Sequence, residues 1–321
     1  MKRPIPLLIV LVVLGVIALL VPAAAADYKK AVDYYNQGQF EKAIQELKPD
    51  LDASPNWESG HRLLGLCYLA LKNNALAVSS FTRAVQLKST AFSTYRGLGL
   101  AYFNMQRYED AVQALNQGES FASEEEKYSF YHIRGSAYFR LQNYNEAVND
   151  MTAAIPLKQT DWTDFSELGI AYFNLNRIDE AIQALQKADS MKPGQSVVAE
   201  NLGKAYFKKG VAALTAKQYG QAVEFLQKAK DYDPKNGYVS YNLGEAYMFQ
   251  KNYPAAEKAY NQAVEVLPNN AEVYSRLGLA CEKLKKYDLA LSAYQKANGL
   301  SPSPSLKEAI NRVTEAKKAK S

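Results

Sequence analysis

Few side chains in this 321-residue chain can do covalent or metal chemistry. There are two histidines, His61 and His132, and two cysteines, Cys67 and Cys281, and no HExxH, CxxC, Walker-type phosphate loop or GxGxxG run. Nucleophilic triads and zinc sites ordinarily need a positioned histidine, so supply alone disfavours those chemistries. Two other sets are conspicuous. Phe103, Phe139, Phe173 and Phe207 recur at steps of 36, 34 and 34 residues, and Arg62, Arg96 and His132 recur at 34 and 36, with Arg140 nearby. A ladder of rings can grip an extended apolar peptide or stack against sugar rings. Guanidinium groups can take a carboxylate or a peptide carbonyl through paired hydrogen bonds.

The composition is that of an ordinary folded protein: 48% hydrophobic and 22% charged residues, with 17 Gly and 12 Pro. Disorder, collagen and a disulfide scaffold are excluded. The formal charge of +5 falls to +3 without Lys2 and Arg3, and the five cations and two acids after Pro302 account for that remainder. A body of zero net charge has no overall drive toward phosphates, which disfavours nucleic acid as a partner.

Residues 1–26 have the layout of a secretory signal: Lys2 and Arg3, an uncharged apolar run from Leu7 to Val21, then Pro22 and four alanines. Ala24 and Ala26 supply the small residues for cleavage before Asp27. An uncleaved anchor is the competing reading, because Ile5 to Val21 approaches the length that spans a bilayer. Either way the chain is expected outside the cytoplasm, in a bacterial periplasm, with the membrane touched only through this segment if it is retained.

The elements that must position the rings and cations are written as a repeat. LLGLCYLA, GLGLAYFN, IRGSAYFR, ELGIAYFN, NLGKAYFK, NLGEAYMF and RLGLACEK place glycines at 65, 99, 135, 169, 203, 244 and 278. Leu, Gly and Tyr three to four apart share one helical face, and the glycine admits a close neighbour. A second half follows in each, where an aromatic or Ile precedes Ala by three, as Tyr108 precedes Ala111 and Ile178 precedes Ala181. Ala181, Leu185 and Ala188 give that partner helix its own apolar face. Pro55, Pro193, Pro234, Pro268 and Pro302 end second helices. One helical hairpin per 34 residues is the expectation.

This pattern resembles the tetratricopeptide repeat (TPR). The resemblance implies an all-α fold, a right-handed solenoid of about eight hairpins over residues 27–302, with repeats starting near 24, 58, 92, 128, 162, 196, 237 and 271. A capping helix and basic tail occupy 303–321, with Leu306, Ile310 and Val313 on the closing helix's apolar side. In such a solenoid the residue after the consensus Tyr faces the concave groove, which implies groove positions for Phe103, Phe139, Phe173 and Phe207. Arg62, Arg96 and His132, together with Asn104, Arg140 and Asn174, would stand beside them. The family's carboxylate clamp needs Asn where this chain has Val32, Leu66, Leu100, Ser136 and Ile170, so that clamp is unsupported.

Two irregularities carry mechanical expectations. The 36-residue step adds residues near Ser123–Glu126, read as a capping box that starts the next helix. The 41-residue step adds seven residues, nearly two helical turns, so the apolar face is kept. The helix is expected from about Ser196 to Lys217, projecting by about 10 Å as a lip for a partner or as a tolerated extension. Cys67 and Cys281 lie in distant repeats and are expected to be buried free thiols.

The sequence thus predicts a non-catalytic scaffold of the cell envelope that holds a peptide segment or partner domain in its groove and needs no cofactor or metal. A glycan-binding factor in polysaccharide export or envelope assembly, using the phenylalanines as a sugar platform, is the alternative.

Overall fold

The computed structural model describes residues 21–157 and 161–319, and among them are seventeen α-helices, two single turns of 3-10 helix and no strand. The charged start and most of the apolar run of the N-terminal segment lie outside the described residues. The chain divides into two compact units, Met1–Gln159 and Thr160–Ser321.

The first unit holds four hairpins: α1 (Val21–Asn36) with α2 (Phe40–Ala53), α3 (Glu58–Ala70) with α4 (Asn74–Gln86), α5 (Phe92–Asn104) with α6 (Tyr108–Gly118), and α7 (Lys127–Arg140) with α8 (Tyr144–Ala154). The second holds α9 (Trp162–Asn174) with α10 (Ile178–Met191), α11 (Ser196–Thr215) with α12 (Tyr219–Tyr232), α13 (Gly237–Phe249) with α14 (Tyr253–Val266), and α15 (Ala271–Lys283) with α16 (Tyr287–Leu300). It is closed by α17 (Pro304–Lys318), which buries Leu306, Ala309 and Val313, in agreement with the expected capping helix.

Every hairpin after the first is zipped by a glycine of its first helix against a large residue sixteen positions later. A Cβ on Gly99, Gly169, Gly210, Gly244 or Gly278 would come within 2.4 to 2.8 Å of Leu115, Leu185, Leu226, Tyr260 or Tyr294 respectively, so only hydrogen fits there. Seven residues after that glycine the turn residue takes a left-handed conformation: Lys72, Gln106, Gln142, Asn176, Lys217, Lys251 and Lys285 all have φ between 59° and 62°. This shape lets the next N–H reach back across the helix end, as Arg107 N–H does to Tyr102 O at 2.9 Å, satisfying a carbonyl that would otherwise be orphaned. Second helices stop two residues before the expected prolines, as at Ala53, Met191, Tyr232, Val266 and Leu300. Alanines and leucines between the layers form the cores: Ala43, Leu47 and Leu63 in the first unit, and Leu185, Leu202, Leu226 and Leu243 in the second.

Two expectations are corrected. The long helix is α11, twenty residues where its counterparts α9 and α13 have thirteen, and it ends at Thr215 because Lys217 is the left-handed turn residue. Nor does it project as a lip. Gly210 takes the tight contact with the partner helix α12, a Cβ there coming within 2.6 Å of Leu226 Cγ, while Gly203 faces the end of the same helix more loosely, 3.3 Å from Tyr232 Cβ. Lys209 pairs with Asp179 of the preceding hairpin. Val198 and Leu202 in the first half and Gly210 and Ala213 in the second are all buried, so the helix is packed at both ends.

The second correction concerns Ser123. Its N–H and its Oγ both donate to Glu126 Oε2, at 3.1 and 3.0 Å, and α7 starts at Lys127. Only the carboxylate half of a capping box is formed, since the serine hydroxyl donates to Glu126 where the full motif needs it to accept from the backbone. Cys67 and Cys281 are buried and free, as expected.

Candidate functional site

The candidate face is built, within each unit, by the first helices of the hairpins. In the first unit α3 packs on α5 and α5 on α7. Arg62, Arg96 and His132 each stand three residues before a hairpin glycine, so the three side chains occupy one register on three adjacent helices.

Their surroundings differ. Arg62 lies one helical turn from Glu58, with Nε 3.6 Å from Oε1, and Nε itself is buried without a hydrogen bond. Glu58 is held elsewhere by the hydroxyls of Ser59 and Ser89, which leaves the guanidinium only a weak local ion pair. Arg96 is half-buried and makes no side-chain hydrogen bond, ion pair or ring contact with any described residue. His132 stacks on Tyr128, with ring centroids 5.5 Å apart and planes 13° from parallel. A partly dehydrated guanidinium with five unused donors is a strong receptor for a carbonyl or carboxylate.

The phenylalanines are half-buried, and each leans on its own hairpin. Phe103 meets Tyr108 edge-on at 5.3 Å, and Phe139 meets Tyr144 at 5.9 Å with the Arg140 guanidinium 5.5 Å over its ring. In the second unit Phe173 packs on the core beneath Lys208, whose Nζ is 5.3 Å above the ring. Phe207 also packs on that core, four residues after Gly203 and three before Gly210. It therefore has the spacing of Phe173 from one glycine and that of Arg96 from the other. Asn104 is exposed and donates to Asn74 Oδ1 at 3.2 Å, tying α5 to α4, whereas Asn174 donates back to Ile170 O within its own helix.

Other polar clusters, which the sequence reading missed, brace the hairpins. Arg134 forks onto Asp150 with bonds of 2.7 and 2.8 Å and lies over Phe130 at 4.2 Å. In the second unit Tyr260 donates to Glu245, which is also 3.4 Å from Arg276. One hairpin later Tyr294 donates to Glu282, and Arg312 of α17 forks onto the same carboxylate at 2.8 and 2.9 Å. Hydrogen bonds from Arg312 hold the Glu282 carboxyl below the usual carboxylate range despite its burial. Burial, and then the bond to a carboxylate, push the phenols of Tyr260 and Tyr294 well up. The signal for these pairs was available: tyrosine replaces the leucine of other repeats at 260 and 294, and a buried hydroxyl needs a partner.

None of this is arranged for group transfer. Burial pushes the Cys67 thiol up to about 12, and burial with the nearby Glu257 carboxylate pushes Cys281 to about 11, so both are protonated at neutral pH and poor nucleophiles. His61 Nε2 sits 3.0 Å from Pro55 O. Among the described residues no three His, Cys, Asp or Glu side chains converge as a metal set, and no helix is long and apolar enough to cross a membrane.

Tetratricopeptide-repeat profiles match residues 28–92, 93–124, 128–161, 166–195, 213–279 and 271–304. No curated protein matches the chain in sequence. Solved structures similar to it include MamA AMB-1, at 24% identity over 57% of this chain and 96% of that one, with a TM-score of 0.42. The TPR2AB domain of yeast Sti1 in its pHSP90 complex aligns at 17% identity over 80% and 98%, with a TM-score of 0.41. The APC/C hetero-tetramer Cut9–Hcn1 aligns at 17% over 85% and 52%, with 0.36. None of these superpositions is close enough to carry a function across.

Proposed function

Because the chain belongs to the tetratricopeptide-repeat family, we propose that it is a non-catalytic scaffold that holds a protein partner on the face of its first helices. The observation that carries this reading is Arg96, a half-buried guanidinium without a partner among the described residues, flanked at the same register by Arg62 and His132. Burying a cation without compensation is costly, and a partner's carbonyls or carboxylate would supply the missing acceptors. Phe103 and Phe139 flank these groups as apolar contacts for an extended segment. A glycan platform is less well supported, because Phe139 already carries Arg140 over one side. The envelope setting rests on residues 1–26, whose basic start, apolar run and small residues fit an export signal.

Photocrosslinking in cells from position 139, with exposed Ser190 of α10 as the control position, tests the reading. A discrete polypeptide captured from 139 and lost on Arg96→Ala supports it. Equal capture from both positions, or capture of carbohydrate alone, refutes it. N-terminal sequencing of the cell-derived protein checks the export signal, with Asp27 as the expected first residue if it is cleaved.

A further inference from the structure

A second surface stands at the edge of the second unit where first helices hand over to second helices. Contacts between successive turns bind this edge into one continuous rim. Tyr219 of one turn stacks on Phe249 before the next, with centroids 4.9 Å apart and planes 8° from parallel. Lys286 pairs with Glu257 of the preceding hairpin, and Lys317 of α17 pairs with Asp288.

Along this rim the left-handed turn residue is lysine three times running, at 217, 251 and 285. All three are exposed, and none makes a side-chain hydrogen bond, ion pair or ring contact with a described residue. Acids on the same rim are already engaged: Asp179 by Lys209, Glu257 by Lys286, Glu282 by Arg312 and Asp288 by Lys317. The free charge at the rim is therefore positive. Lysine is also a poor resident for a left-handed backbone, where glycine or asparagine sits at lower cost, yet this unit keeps it in three consecutive turns. Between Lys217 and Lys251 stands Phe249, 55% exposed although large and apolar.

From this arrangement we infer that the turn edge of the second unit docks on an anionic lipid bilayer. The free cations are lysines, mobile point charges without the fork that selects a single carboxylate or phosphate, and they are spread along an exposed edge. Such a row suits a diffuse negative surface, with each lysine contributing on the order of 1 kcal/mol near anionic headgroups. Phe249 on Tyr219 supplies an aromatic body at the depth where rings favour the membrane interface. The surface is independent of the groove reading and would stand if that reading failed.

The test is flotation of the full chain with vesicles of phosphatidylglycerol and phosphatidylcholine in equal parts, against vesicles of phosphatidylcholine alone. The N-terminal apolar segment is present in every arm, so the difference between the two lipids reads the rim. Lys217→Asn, Lys251→Asn and Lys285→Asn combined keep the turn geometry and remove the charge. The expected result is preferential binding to the anionic vesicles that weakens with salt and drops roughly a hundred-fold in the triple variant. In a Phe249→Trp variant the emission should shift to the blue on anionic vesicles only. Equal binding to both lipids, an unchanged triple variant, or retention of an acidic protein by the rim without lipid preference would overturn the inference.

Discussion

At matched positions the two units carry the same apolar scaffold and opposite polar choices. Three residues before the hairpin glycine the first unit has Arg62, Arg96 and His132, whereas the corresponding residues of the second include the buried Ser166 and the half-buried Tyr241. The second unit carries unpaired lysines at three successive turns, and its Arg276 and Arg312 are paired with Glu245 and Glu282. The repeat therefore fixes packing and leaves the solvent-side register free to vary. Arg96 in the first unit and Lys251 in the second are the residues on which the two proposed surfaces turn.

The comparison is tested most severely through the packing that both units share. Gly97→Val would drive a Cβ to within 2.3 Å of Phe81 Cζ, and Gly244→Val would bring one to 2.4 Å from Tyr260 Cε1. Each should cost about 3 kcal/mol or more, because neither ring has room to retreat in a packed core. Stability in stacked repeats is a sum of local and neighbour terms, so amide exchange should rise mainly in the unit that carries the change. A uniform rise across both would break the division into two units.

Next in size is the polar bracing. Asp150→Ala in the first unit leaves Arg134, only 14% exposed, with Asn116 and the more distant Glu119 in place of its forked carboxylate, and should cost about 3 kcal/mol in a denaturant melt. Glu282→Ala in the second frees Arg312, 56% exposed, and strips the buried Tyr294 hydroxyl of its acceptor, and should cost less, about 2 kcal/mol. The Glu282 pair should also respond to acid. A carboxyl held below its unfolded range contributes stability above that range and loses it as pH falls through the folded value. Exchange protection of α17 should therefore decline below about pH 4, and Glu282→Gln should weaken that dependence.

Smaller still should be the effect of Arg96→Ala on the fold. With no partner to lose, the variant should stay within about 0.5 kcal/mol of the parent, while capture of the partner falls at least tenfold. A Lys204→Ala change at the exposed pair with Glu200 in the second unit should alter neither. Loss of stability on removing Arg96 would turn that residue from a receptor into a brace and erase the contrast between the units.

Helix pairing was legible because the glycine spacing encodes it directly, and the closing helix was legible from Leu306, Ile310 and Val313. The seven extra residues fall within α11 as expected, but which glycine takes the tight hairpin contact was hidden, because NLGKAYF around Gly203 repeats the motif perfectly while the close approach to Leu226 belongs to Gly210. The turn would have decided it: outside the first hairpin, Lys88 and Gly194 aside, every left-handed residue lies seven positions after the hairpin glycine, and Lys217 points back to Gly210. The bracing networks were invisible for a different reason. Glu245 and Tyr260 are fifteen residues apart on two helices, and only the packed hairpin brings the hydroxyl to the carboxylate.

The turns give the smallest and sharpest comparison. Gln106 in the first unit and Lys251 in the second hold the same strained backbone, at φ 60° and 59°. Glycine relieves the clash between Cβ and the carbonyl but adds disorder to the unfolded chain, so each replacement should gain about 0.5 kcal/mol. Calorimetry of Gln106→Gly and Lys251→Gly should find equal gains, because the strain belongs to the backbone and not to the side chain. Function should separate them. Gln106→Gly should leave vesicle binding untouched, whereas Lys251→Gly should weaken it although the fold is firmer, which would mean that the second unit keeps a strained lysine for its charge.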